Sequence, residues 1–189
     1  MSLNLITRPS TALVELADVK AHLRVDHSDD DSLIGIYMDA ATSYFDGYSG
    51  ILGRALRSQV WQLTLDAFPS GPIRIPLGPV KSIDAVKYFD PAGVLQTWTP
   101  SGNYEGDLLS DDAWVLPVNG WPTTQTAANS VSVVFTAETS PMPAAIQAAA
   151  LLMVGHMYSN REAVMTTTPP TELPLGVMAL VAPFRRTVI

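Results

Sequence analysis

The chain reads as an α+β protein, with N- and C-terminal helices forming a small helical bundle and a strand-rich antiparallel β region inserted in the middle. Three observations predict this. Apolar residues recur at three-and-four spacing near the N-terminus, the spacing changes to alternation from Arg57, and a run almost free of breakers returns after Pro143. At 189 residues the chain fits one domain over 1–189, helical over 10–52 and 140–186, with the β-rich insertion over 55–138.

The first helix is expected over 15–23, where Leu16, Val19, Ala21 and Leu23 share roughly one side and Asp18, Lys20 and Arg24 face solvent. A second helix follows, over about 28–48. Ser28 is placed to cap it, Asp31 stands in the capping-box position, and Asp29 and Asp30 favour the positive end of the helix dipole. Its apolar face comprises Leu33, Ile34, Tyr37, Ala40, Ala41, Tyr44, Phe45 and Tyr48, with Gly50 suited to end it.

Beyond Arg57, Trp61, Leu63 and Leu65 alternate with Gln62, Thr64 and Asp66, as on a strand buried on one face. Further strands are expected at 73–75, 80–89, 95–99 and 131–137, the last with Val131, Val133 and Phe135 on one face. In the strand over 80–89 the apolar phase shifts between Ala85 and Val86, the mark of a bulge or of burial on both faces. Asp90-Pro91-Ala92-Gly93 has the residue order of a type I turn and joins a hairpin. The region 100–129, rich in Gly and Pro, reads as short strands and loops.

Pro141 and Pro143 suit a helix start, and the run 144–160 is apolar nearly all round, so this helix has to be packed on several sides. Ile146, Leu151, Leu152, Met153, His156 and Tyr158 on it are the candidates for packing between subunits. A Thr- and Pro-rich loop over 166–174 then leads to a short apolar segment ending in Arg185 and Arg186.

Charged residues make up 15% of the chain against 47% apolar, so little of the surface is covered by charge, which favours burial against partner chains. A net charge of −7 with only 11 Lys and Arg argues against a general nucleic-acid-binding surface. Without cysteine there is neither a disulfide framework nor a thiolate metal site. The N-terminus lacks the pattern of a signal peptide, and the run 144–158 is too short to span a bilayer, so no membrane association is expected.

Chemistry-bearing patterns are few. Asp29, Asp30 and Asp31 lack the alternating spacing of a calcium loop and suit helix capping better than a metal. His22, His27 and His156 show no metal-ligand spacing, and no GxSxG, GxxxxGK[ST] or GxGxxG occurs. No catalytic residue, metal or cofactor is expected. One alternative is a small carbohydrate- or ligand-binding module using Trp61, Trp98, Trp114 and Trp121, although basic residues are not interleaved with them. A third is an enzyme built from dispersed acids such as Asp66, Asp84 and Asp90.

Four stretches in order carry a family resemblance: LADVKAHLRVD and the Asp-rich helix start after it, GRALRSQVWQLTLDAFP at 53–69, IRIPLGPVKSIDAVKYFDPAGV at 73–94, and PAAIQAAALLMVGHMYSNREA at 143–163. In these the chain resembles the head-to-tail connector (adaptor) proteins of tailed phages and phage-derived gene transfer agents. The resemblance implies a non-enzymatic subunit of a ring, commonly of twelve copies, beneath the portal at the head-tail interface of a particle assembled in the bacterial cytoplasm. Its implied partners are the portal protein, tail-side connector or stopper proteins, copies of itself, and DNA passing through the channel without specific binding.

Portal docking is implied for the C-terminal part over 166–189, with Leu175, Val177, Leu180, Phe184, Arg185 and Arg186 as the candidate contacts. The competing expectation is that Leu175, Val177, Leu180 and Phe184 pack back on the long helix. An acidic balance is expected to keep DNA from sticking to the channel wall by like-charge repulsion.

Overall fold

A computed structural model describes residues 1–109, 112–160 and 175–186. In chain order it contains β1 (Ser2–Thr7), α1 (Leu16–Leu23), α2 (Asp31–Phe45), β2 (Gln59–Leu65), β3 (Ile73–Ile75), β4 (Val80–Phe89), β5 (Leu95–Trp98), β6 (Tyr104–Asp107), β7 (Ala113–Pro117), β8 (Val131–Ala137), α3 (Ala144–Ser159) and α4 (Leu175–Val181), followed by a 3-10 turn, Ala182–Phe184. The class is α+β, as the change of apolar period predicts. Two compact units emerge: a β unit of Met1–Ser10 with Arg57–Thr139, and a helical unit of Thr11–Leu56 with the described residues from Ser140 onward.

The helical unit is built on one apolar cluster. Ile34, Met38, Ala41 and Phe45 of α2 recur at helical spacing and meet Ile146, Ala149, Ala150, Met153 and Val154 of α3, with Val19 of α1 and Leu13, Val14, Leu52 and Leu56 from the flanking chain. Val177 and Val181 of α4 close the cluster. The side chains expected to face solvent or core divide somewhat differently from the prediction. Ala21 and Ala40 are exposed because they lie off the stripe set by Val19 and by Ile34, Met38 and Ala41.

The start and end of α2 also differ. The helix begins at Asp31, and its N-cap Asp30 makes no side-chain capping bond. Ser28 contributes its backbone carbonyl, which accepts from Asp31 N at 3.2 Å. The acids instead fasten neighbouring helices: Lys20 Nζ of α1 donates to Asp31 Oδ1 at 2.7 Å, and the Tyr158 hydroxyl of α3 donates to Asp30. The helix stops at Phe45, so Tyr48 lies beyond it and is exposed. Gly50 stands in the returning loop, where an added Cβ would lie 2.3 Å from Asp46 O. That close approach, rather than the helix end itself, requires glycine there.

In the β unit, five strands form a sheet in the order β1-β2-β8-β4-β5, and three form a second sheet in the order β3-β7-β6. Trp61 and Leu63 of β2 stand opposite Phe135 and Val133 of β8, and Val133 stands opposite Val86 of β4, so one face of the large sheet carries a continuous apolar row. The phase shift in β4 corresponds to register slips between Val80 and Ser82 and between Ile83 and Ala85. The hairpin joining β4 to β5 closes through Gly93 N to Asp90 O at 2.8 Å, with Gly93 at φ +78°. β5 ends at Trp98 rather than at residue 99.

The small sheet fills the gap at 100–129 with β6 and β7, burying Ile73, Ile75, Tyr104, Ala113 and Val115. It lies close against the large one, since a Cβ on Gly106 would meet Ile83 Cδ1 at 2.8 Å. One strand was not anticipated from sequence: β1 pairs with β2 along the outer edge of the large sheet.

Candidate assembly surfaces

α3 is apolar nearly all round, but within the chain it buries one stripe, Ile146, Ala149, Ala150, Met153 and Val154, and leaves most of its other positions half-buried. Ile146 and Met153 are buried in the helical unit's own core, so these two candidates for packing between subunits face inward. Leu151 and Tyr158 are half-buried against the same core, and Tyr158 is further tied to Asp30. Leu152 is 40% exposed, the large apolar side chain of α3 that the chain's own core leaves open. His156 lies at the helix end, where its carbonyl accepts from Asn160 Nδ2 at 2.9 Å. Its ring Nδ1 lies 3.3 Å from the same Asn160 amide.

The C-terminal segment packs back on its own bundle. Val177 and Val181 are fully buried, and Leu180 and Phe184 lie partly buried on the core. Arg186 N donates to Leu52 O at 2.9 Å, fastening the chain after the 3-10 turn to the loop that follows α2. What remains open on this segment is small side chains and one charge: Gly176, Ala179, Ala182, Pro183 and Arg185 are exposed. The loop over 166–174, and the side chain of Leu175, lie outside the described residues.

Three of the four tryptophans, Trp61, Trp98 and Trp121, are tied into local packing. Trp61 is buried and donates from Nε1 to Gln59 Oε1 at 2.9 Å. Trp121 stacks on Phe68 at 4.6 Å between ring centroids, and Trp98 leans on Phe68, Tyr104 and Trp121. Trp121 Nε1 donates to Gly71 O at 2.8 Å. The rings of Trp98 and Trp121 pack on each other and on Phe68, as anchors of the loops around the small sheet, while Trp114 is half-buried on β7. Burial raises the Tyr104 hydroxyl above its ordinary range, in line with its place beneath this cluster.

The dispersed acids are likewise occupied. Asp66 Oδ1 accepts from Asn129 N at 2.9 Å, and Asp84 accepts from the Ser82 and Thr136 hydroxyls. Asp90 accepts from Ala92 N, Val94 N and the Gln96 amide, shaping the β4–β5 turn. The bond from Val94 N, then that from Gln96, and to a lesser degree that from Ala92 N hold its carboxyl below the usual carboxylate range. Among the described residues no cluster of His, Asp or Glu is arranged to hold a metal, and no helix is long and apolar enough to cross a membrane.

Comparison with known proteins bears out the family resemblance read from the sequence. Residues 14–88 match the family model "Phage gp6-like head-tail connector protein". No curated protein matches the chain. Among solved structures, a chain from the virion of a native gene transfer agent particle shares the fold with a TM-score of 0.79 and 24% identity. A chain in the neck of an empty particle of this kind, computed with C6 symmetry, gives 0.77 at 23%, and one in the neck of the native particle, computed with C12 symmetry, gives 0.68 at 23%. In all three pairs the match covers 100% of this chain and 97% of the other.

Proposed function

We propose that this chain, which carries the head-tail connector family pattern over residues 14–88 and a gene-transfer-agent neck fold along its whole length, is a structural connector subunit. It assembles with copies of itself into a ring beneath the portal, joins head to tail-side proteins, and leaves a channel for DNA. It works by burying surface rather than by catalysis.

The observation that carries this is the end-to-end match with neck chains, in which neither protein has a large unmatched part. The residues support it. Trp61, Trp98 and Trp121, and the acids Asp66, Asp84 and Asp90, are committed to local packing or turns, whereas apolar side chains such as Ile36 and Leu152 stay exposed on helices. Few charges compete for such surfaces.

Co-sedimentation of the purified chain with portal rings tests the proposal. Retention in a fixed ratio, one full ring per portal, is the expected result. Failure to co-sediment, together with calorimetric binding of a glycan abolished by Trp98→Ala, would favour the binding-module alternative instead.

A further inference from the structure

The five-stranded sheet ends on two strands of unusual composition. β1 (SLNLIT) and β5 (LQTW) each pair on one side only, and neither contains a charged residue or a proline. Edge strands are ordinarily guarded by lysine, proline or a covering element, because their free N–H and C=O groups are a template for another strand. Here Leu5 and Ile6 on β1, and Leu95 with the adjoining Val94 at β5, are exposed. The guard on β1 is a bulge at Ile6, where the register slips between Leu5 and Thr7, and it leaves residues 2–5 regularly paired. The contrast lies within the same sheet: the part of β4 that β5 leaves uncovered carries Lys81 and Asp84.

Direction adds a second constraint. All four pairings in the sheet are antiparallel, so across five strands β1 and β5 run the same way. A cyclic ring needs a heterologous contact, in which two different surfaces of one subunit meet their counterparts on its neighbours. Opposite edges of one sheet meet that need, whereas pairing β1 with β1 would be isologous and stop at a dimer.

We propose that neighbouring copies join by edge addition, with β5 of one copy lying parallel to β1 of the next, so that the large sheet continues from subunit to subunit. This rests on the ring proposed above. A second copy is the fitting occupant because both edges are uncharged, each carries exposed apolar side chains, and their directions agree.

The absence of cysteine allows a clean test. Asn4 and Thr97 are exposed, one on each edge strand, so Asn4→Cys and Thr97→Cys leave the core untouched. In rings assembled on the portal, a short bifunctional thiol reagent is expected to link the double variant into a ladder reaching ring size on a denaturing gel. A mixture of the two single variants should give dimers, and either alone should give monomers.

Dimers from Asn4→Cys alone would mean β1 pairs with itself and would overturn the proposal. Monomers from the double variant, in rings visible by electron microscopy, would overturn edge addition while leaving the ring intact. Absence of rings from the unaltered chain would sink the ring and the edge contact together. Leu95→Lys gives an independent readout: melting should be unchanged and ring yield should fall at least about tenfold. Undiminished yield would contradict edge pairing.

Discussion

Two glycines near α2 face opposite demands. At Gly50 a methyl group would sit 2.3 Å from Asp46 O and 2.6 Å from Phe45 O, both backbone atoms with nowhere to go, so Gly50→Ala is expected to cost about 3 kcal/mol in urea unfolding. Gly35 lies inside α2 with nothing within 4 Å of the added atom. Gly35→Ala should therefore gain about 0.5–1 kcal/mol from helix propensity. Asp90 supplies a pH test. Its carboxyl is held below the ordinary range in the folded chain, chiefly by the bond from Val94 N. The stabilisation it gives the turn is thus fully present above the unfolded value of 3.8 and is lost as pH falls through the folded value. Amide exchange at Ala92 and Val94 should accelerate on acidification in the native chain and be insensitive to pH over that range, once intrinsic rates are corrected, in Asp90→Asn. The Asp30 and Asp31 pair shows why sequence reasoning misplaced the acids. A capping-box pattern is local, but the partners that hold these carboxylates, Lys20 and Tyr158, come from other helices.

Among the elements, the period of apolar residues located most of the fold. β3, β4 and β8 were legible to the residue, and α1 and α3 to within one, because each is bounded by Gly, Pro or polar residues and keeps one apolar period, apart from the phase shift inside β4. β1 was missed although Leu3 and Leu5 alternate with Ser2 and Asn4, because an edge strand with mostly exposed side chains has no buried face to strengthen that signal. The end of α2 was overextended because Tyr48 continues the apolar spacing past the point where the backbone at Asp46 turns extended. α4 is the element whose role changes most. Val177 and Val181 are fully buried in the helical core, so deleting 175–189 should not leave that unit intact, contrary to the sequence-based expectation. Val177→Ala is expected to cost about 2 kcal/mol from lost burial and the cavity left behind. Exposed Arg185 separates docking from folding: Arg185→Glu should leave stability within about 0.5 kcal/mol while weakening co-sedimentation with portal rings.

At the scale of the whole molecule, low charge and a helix apolar nearly all round pointed to assembly, and four ordered stretches pointed to a connector. Candidate contact residues were harder to read, because an apolar side chain at a helix position looks the same whether its partner is its own core or a neighbour. Ile146 and Val177 proved to be core, Leu152 stayed exposed, and the uncharged sheet edges became apparent only once strand order was known. The net charge of −7 carries its own expectation for the assembly: acids should outnumber bases along the channel wall, and a wall lined by Lys and Arg would contradict like-charge repulsion as the means of letting DNA pass. The most direct test of the connector role is electron microscopy of the chain mixed with the portal protein of the same particle. A closed ring of these subunits seated coaxially on the portal, with an open axial channel, is the expected result. Portal rings left bare at saturating chain concentration, with the chain remaining dispersed as single subunits, would contradict it.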